Sequence, residues 1–196
     1  MMVIRYGIGL FLVLLLTGCT PKSTPVTYYT LEAGQVQPVT HSPYRNRVLK
    51  VSYPMAIKEK ITDKMLFSYS FRDSGTYQNS QWSNNLGKLL EGIIIAALEE
   101  SRLFKAVLPY ASTVNADYRL EPLIYDFSHH IRGNASYAVV SIQFSLIDIN
   151  TGKLLKTKRF SYREPTPTVD ANGYAEATNT IMTRMVHDLV VWLKQG

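Results

Sequence analysis

The segment YAVVSIQFSLIDI, residues 137–149, alternates apolar and polar side chains with a period of two. Val140, Ile142, Phe144 and Leu146 fall on one side, and Ser141, Gln143 and Ser145 on the other. A strand of this kind offers one face to a core and the other to solvent, so another layer must cover the apolar face. The turn DINTGK follows, with Gly152 suited to a positive φ, and LLKTKRFSYRE returns as the partner strand of a hairpin.

Other segments carry the same period. RVLKVSYP sets Leu49, Val51 and Tyr53 against Val48, Lys50 and Ser52, and KMLFSYSF places Met65, Phe67, Tyr69 and Phe71 on one side. VTYYTLEA is β-branched and aromatic. ADYRLEPLIYDFSHHI reads as a long strand interrupted at Pro122, with Tyr118 and Leu120 inward before the proline and Leu123, Tyr125 and Phe127 inward after it. GQVQPVTHSPYRN and RDSGTYQNS read as loops, and AVLPY as one further short strand.

Two stretches change to a period of three and four. From Gln81 to Phe104, Trp82, Leu86, Leu89, Leu90, Ile93, Ala97 and Leu98 form one stripe, interrupted by Gly87 and Gly92, whose absent side chains suit close packing on a sheet. From about Tyr174 to Lys194, Tyr174, Ile181, Met185, Leu189 and Trp192 form another, with Met182, Val186 and Leu193 beside it. The expected fold is therefore α+β: a two-layer sandwich with a mainly antiparallel sheet and two amphipathic helices packed on one face.

The N-terminus has a separate role. Arg5 precedes eleven uncharged residues, Tyr6 to Leu16, closed by Thr17 and Gly18, which is the layout of an export signal and is too short to span a bilayer. Cys19 is the chain's one cysteine and has no partner for an internal disulfide. Leu16, Thr17, Gly18 and Cys19 resemble the bacterial lipobox. That resemblance implies cleavage between Gly18 and Cys19, with diacylglyceryl and N-acyl groups carried by Cys19, and stable anchoring takes more than one acyl chain.

Thr20 stands where, in proteobacterial lipoproteins, an aspartate retains the protein in the inner membrane. The resemblance thus implies the periplasmic face of the outer membrane. The expected organisation is a signal peptide over 1–18, a lipidated cysteine with a Pro-containing tether over 19–27, and a single domain over 28–196.

The formal charge of +6 falls by one when Arg5 leaves. A basic protein at a membrane surface suits anionic headgroups or an acidic partner, and export excludes nucleic acid as a natural target. No nucleophile elbow, His-Glu zinc motif or paired carboxylates are present, so neither an enzyme nor a metal site is expected. Adjacent His129 and His130 point to opposite faces of a strand and cannot share a metal without a bend.

Two constellations stand out. Lys153, Lys156, Lys158, Arg159 and Arg163 make one strand basic, either as an electrostatic dock or as an edge strand whose lysines discourage edge-to-edge pairing. Tyr69, Phe71, Tyr77 and Trp82 concentrate aromatic surface where a strand leads to the first helix, as core or as the wall of a groove for a partner segment or an acyl chain.

The order of features resembles the ABC-type transport auxiliary lipoprotein family. YYTL at Tyr28 to Leu31, RVLKVSYP, MLFSYS followed by Tyr77 and WSNNL, DYRLEPLIYDF, VSIQFSLIDINTGKLL and the tyrosine-led last helix carry the resemblance. Gln81 departs from it, standing where the family usually has an arginine, and YPMAIKEKIT lacks the family's leucine-tyrosine pattern.

The resemblance implies a non-enzymatic accessory subunit that contacts the MCE-domain component of an intermembrane lipid transport system. ATP hydrolysis would occur in another subunit. A periplasmic lipid carrier and a structural envelope lipoprotein are the alternatives, and whether several copies assemble is left open.

Overall fold

A computed structural model describes residues 24–57, 61–70 and 72–195. The expectations placed on the leader 1–18, on Gly18 and Cys19, and on Phe71 lie outside these residues.

Eleven elements follow in order: β1 (Thr27–Tyr29), β2 (Val48–Val51), β3 (Met55–Ala56), β4 (Lys64–Ser70), β5 (Asp73–Trp82), α1 (Leu86–Glu100), β6 (Ala106–Pro109), β7 (Tyr118–Arg132), β8 (Ala135–Asp148), β9 (Leu154–Pro165) and α2 (Ala171–Lys194). The described strands form one mixed sheet. β7 is its spine. Along one edge β7 pairs antiparallel with β8, which pairs antiparallel with β9. Along the other edge it pairs in parallel with three short strands in succession: β2 at Tyr118–Leu120, β3 at Leu123–Ile124 and β4 at His129–His130. β6 extends the sheet beyond β2 in parallel, β5 lies antiparallel beyond β4, and β1 is parallel beyond β5.

The alternation in β8 places Ala138, Val140, Ile142, Phe144 and Leu146 under the helices, each essentially buried. Leu49 and Val51 of β2 and Met65 of β4 join them, as does the α2 stripe of Tyr174, Ile181, Met185 and Leu189. Each Val, Leu, Ile, Phe or Met among them contributes about 1.5–3 kcal/mol by leaving water. Both helices therefore cover one face, as expected, and the opposite face of β7–β9 stays open.

Each helix has a side-chain cap. Asn85 Oδ1 accepts from Gly87 N at 2.9 Å, and Asp170 Oδ1 accepts from Gly173 N at 2.8 Å. The first helix starts later than its apolar stripe suggests, because Trp82 belongs to β5: its N–H donates to Asp63 O at 2.7 Å and Ser83 N–H donates to Tyr29 O at 2.6 Å. Gly87 does pack closely, since a Cβ there would come within 2.5 Å of the Tyr53 ring, whereas Gly92 faces open space.

The stretch after β1 has no regular secondary structure and crosses the outside of the helix layer as a strap. Glu32 N–H donates to Asn179 Oδ1, Gly34 N–H to Thr183 Oγ1 and Val36 N–H to Glu100 Oε2, while the strap's own Leu31, Val36 and Tyr44 are buried. Gly34 is required there because a Cβ would lie 2.8 Å from Thr183 Cγ2.

Two expectations for β7 need correction. The pleat runs through Pro122, which lies opposite Phe144, and the register slips instead between Ile124 and Asp126. Leu120 and Ile124 accept hydrogen bonds from the β2–β3 side, so Pro122, of the same parity, turns its donorless nitrogen to the gap between those strands. The bulge then reverses the phase: Ile124 and Phe127 are buried, and Leu123 and Tyr125 are not.

Candidate functional site

Between Ile124 and His129 the free edge of β7 meets neither β3 nor β4. A recess of about 180 Å³ opens there on the uncovered face, with Leu66 and Ser68 of β4 on one wall and Tyr125, Asp126, Ser128 and His130 of β7 on the other. The bulge creates this wall, because it places both Tyr125 and Asp126 on the open side.

The polar side chains in the recess are engaged with one another. Ser128 Oγ donates to Asp126 Oδ1 at 2.6 Å, and His130 Nε2 lies 3.1 Å from Ser128 Oγ and 3.3 Å from Asp126 Oδ2. These are the residue types of a nucleophilic triad in a different arrangement. The serine proton is held by the carboxylate, and the serine and aspartate address the same imidazole nitrogen, so the histidine does not stand between nucleophile and orienting acid. The three side chains thereby fix one another on the recess wall. Among the described residues no cluster of three or more His, Cys, Asp or Glu is placed to hold a metal ion.

Behind the recess an aromatic chain runs into the core. Phe67 meets Tyr69 and Tyr77 edge-on, each at 5.2 Å, and His129 lies stacked between Tyr77 at 6.2 Å and Tyr174 at 5.3 Å. Trp82 packs on Tyr174 and Phe127. Tyr77 Oη and His129 Nδ1 share a 2.7 Å hydrogen bond. Burial pushes the His129 pKa down to about 4 and the Tyr77 pKa up to about 12, so both are neutral at pH 7.

Of the aromatic residues singled out in the sequence, Tyr69 and Tyr77 come together through Phe67. Trp82 is 1% exposed and is core, not the wall of a groove. Trp82 Nε1, His129 Nε2 and Tyr174 Oη have no hydrogen-bond partner among the described residues.

The basic strand divides between the two faces. Lys156 Nζ donates to Trp192 O and Leu193 O at the C-terminal end of α2, where a cation suits the helix dipole, and Lys158 lies over Phe160. Arg159 and Arg163 point the other way, over Tyr125 and Tyr137. Lys153 is an exposed residue of the hairpin turn. The five residues thus do not form one patch. Tyr125, Tyr137 and the Asp126–Ser128–His130 wall were not anticipated; the alternation of DFSHH hinted at the wall, but the bulge that places Tyr125 beside it left no trace in composition.

The model for the ABC-type transport auxiliary lipoprotein component matches residues 29–190. The fold is similar to that of protein XCC0632 from Xanthomonas campestris, with a TM-score of 0.77 at 20% identity, covering 87% of this chain and 95% of that one. It is also similar to a PelC dodecamer from Paraburkholderia phytofirmans, with a TM-score of 0.53 at 14% identity, covering 81% and 96%. A comparison with curated proteins returns no match. With the family's pattern running from β1 into the last turns of α2, the chain belongs to the ABC-type transport auxiliary lipoprotein family.

Proposed function

We propose that the protein is a non-enzymatic subunit anchored through Cys19 to the periplasmic face of the outer membrane, where it docks the MCE-domain component of an ABC-type lipid or solvent transport system. The observation that carries this reading is the family match over residues 29–190, taken with the lipobox that ends at Cys19. The geometry of Asp126, Ser128 and His130 supports a binding role over a hydrolytic one. The recess of about 180 Å³ is smaller than ligand pockets of about 300–1,000 Å³, and the roomier concavity of about 530 Å³ is lined by Thr40, His41, Ser42, Pro43, Arg45 and Lys194 rather than by the apolar side chains an acyl chain needs, which weighs against the carrier alternative. Assembly of several copies belongs to the proposal, supported by the dodecamer of the similarly folded PelC.

Crosslinking and affinity capture from intact envelopes tests it, with Cys19→Ser as the mislocalised control. Capture of a transport component that depends on Cys19 is the expected outcome. Capture of only cell-wall or outer-membrane proteins by the wild type would transfer the reading to a structural lipoprotein.

A further inference from the structure

Two arginines on the open face are held in place. The Arg159 guanidinium lies 3.8 Å from the centroid of the Tyr125 ring, and that of Arg163 lies 3.6 Å from Tyr137. Both are cation–π distances, at which a guanidinium keeps its donor edge for other partners. Arg159 Nε is fixed by Ser141 Oγ at 2.8 Å, and Ser141 in turn shares a 2.9 Å hydrogen bond with Ser161.

Among the described residues neither guanidinium has a carboxylate within ion-pair distance. The acids of this face are engaged elsewhere: Glu121 binds Arg119 at 2.7 Å, and Asp126 holds Ser128 and His130. The face therefore presents two positioned cations with unused Nη donors.

Their spacing selects the ligand. Four residues along a strand separate them by about 13 Å, and an extended polypeptide lying along β9 repeats the same distance every four residues. Carboxylates four residues apart in such a segment meet both arginines in one register. Position selects the source. β9 stands at the opposite edge of the sheet from β1, five strand spacings or about 24 Å away, and β1 is the element nearest the tether. The arginines lie on the sheet edge opposite the strand that leads to the membrane.

We infer that the open face of β8 and β9 is the docking surface for an extended acidic segment of a periplasmic protein, with Arg159 and Arg163 on their tyrosine platforms as its carboxylate-binding pair. The identity of that protein as a transport component rests on the function proposed above. The surface itself rests on the arginine geometry.

The test uses the full chain in neutral detergent micelles and a fluorescent deca-glutamate peptide, followed by anisotropy. Charge reversal at Arg159→Glu with Arg163→Glu is expected to weaken binding about tenfold or more, because charge-assisted contacts to both arginines are lost. Lys88→Glu on α1 with Lys105→Glu in the α1–β6 connection changes net charge equally away from β9 and is expected to retain wild-type binding. Equal losses in the two double variants, or no binding by the wild type, would overturn the inference. So would arginine-dependent binding to phosphatidylglycerol vesicles without binding to the peptide, which assigns the face to lipid.

A photo-crosslinker at Val139, beside Arg163, then separates the two proposals in intact envelopes. Capture of a transport component that the arginine reversal abolishes supports both. Capture unaffected by the reversal ends the docking-face inference and leaves the proposed function standing. If the wild type captures no transport component from any position, the proposed function fails and the peptide measurement alone decides the surface.

Discussion

On its covered face the β8–β9 hairpin presents Val140, Ile142, Phe144, Leu146 and Phe160, all buried. One residue further along the same strands it presents Ser141, Gln143, Arg159 and Arg163 to the open side. The covered face is held by apolar area removed from water, which is strong and indifferent to partner. The open face is held by Ser141–Ser161 and Ser145–Thr157 hydrogen bonds and by cation–π stacking, which contribute little stability but fix side-chain direction. Stability and recognition are thereby separated across a single layer of backbone.

The sharpest way to break this comparison is to truncate matching residues on the two sides. Phe144→Ala is expected to cost about 3–5 kcal/mol in urea unfolding, while Gln143→Ala stays within about 0.5 kcal/mol of wild type. Equal costs would abolish the distinction.

Acid provides the second test, through the core of the covered side. Because the His129 pKa is pushed below its unfolded value, the unfolded chain takes up the proton first as pH falls. The contribution of neutral His129 is complete above about pH 6.5 and is lost as pH falls toward 4, a change of order 3 kcal/mol. His129→Phe should flatten that part of the stability profile; an unchanged slope would remove His129 as its source.

Capping the covering layer matters less. Asp170→Ala is expected to cost about 1 kcal/mol by leaving the Gly173 N–H without its side-chain acceptor, measured as a lowered urea midpoint. Gly92→Ala should stabilise by about 0.5–1 kcal/mol, since a Cβ there meets nothing, and a loss would show a contact the fold does not reveal. Smallest of all, Arg159→Gln is expected to cost about 0.5 kcal/mol of stability while removing half of the docking pair, so a large thermal shift would mean the arginine is structural.

Much of the covered face was legible because its signal is periodic. The β8 alternation and the α2 stripe ended where their apolar residues placed them. β5 was not legible: DSGTYQNSQW is polar, only Trp82 is fully buried, and the strand exists through backbone pairing with β4 and β1 rather than through its side chains. Gly75 permits that pairing, because a Cβ there would lie 2.7 Å from Phe67 Cζ. Two-residue β3 is likewise set by the neighbouring edge of β7. For the candidate site, the basic residues were visible, but their division between two faces follows from strand parity, and the recess follows from a one-residue slip in β7 that tertiary pairing determines.

The strap has a mechanical consequence. A pull on the N-terminal end first loads β1, whose contact with the sheet is three residues long, and then the irregular stretch lying over α1 and α2. Both can peel one contact at a time before β7, β8 and β9 bear any load. Residues 24–47 would then pay out up to roughly 80 Å of chain. In an optical trap this is a compliant, low-force extension ahead of the main rupture, and its absence would show the strap and sheet yielding together. A domain joined to its surroundings in this way has a leash whose length is set by tension.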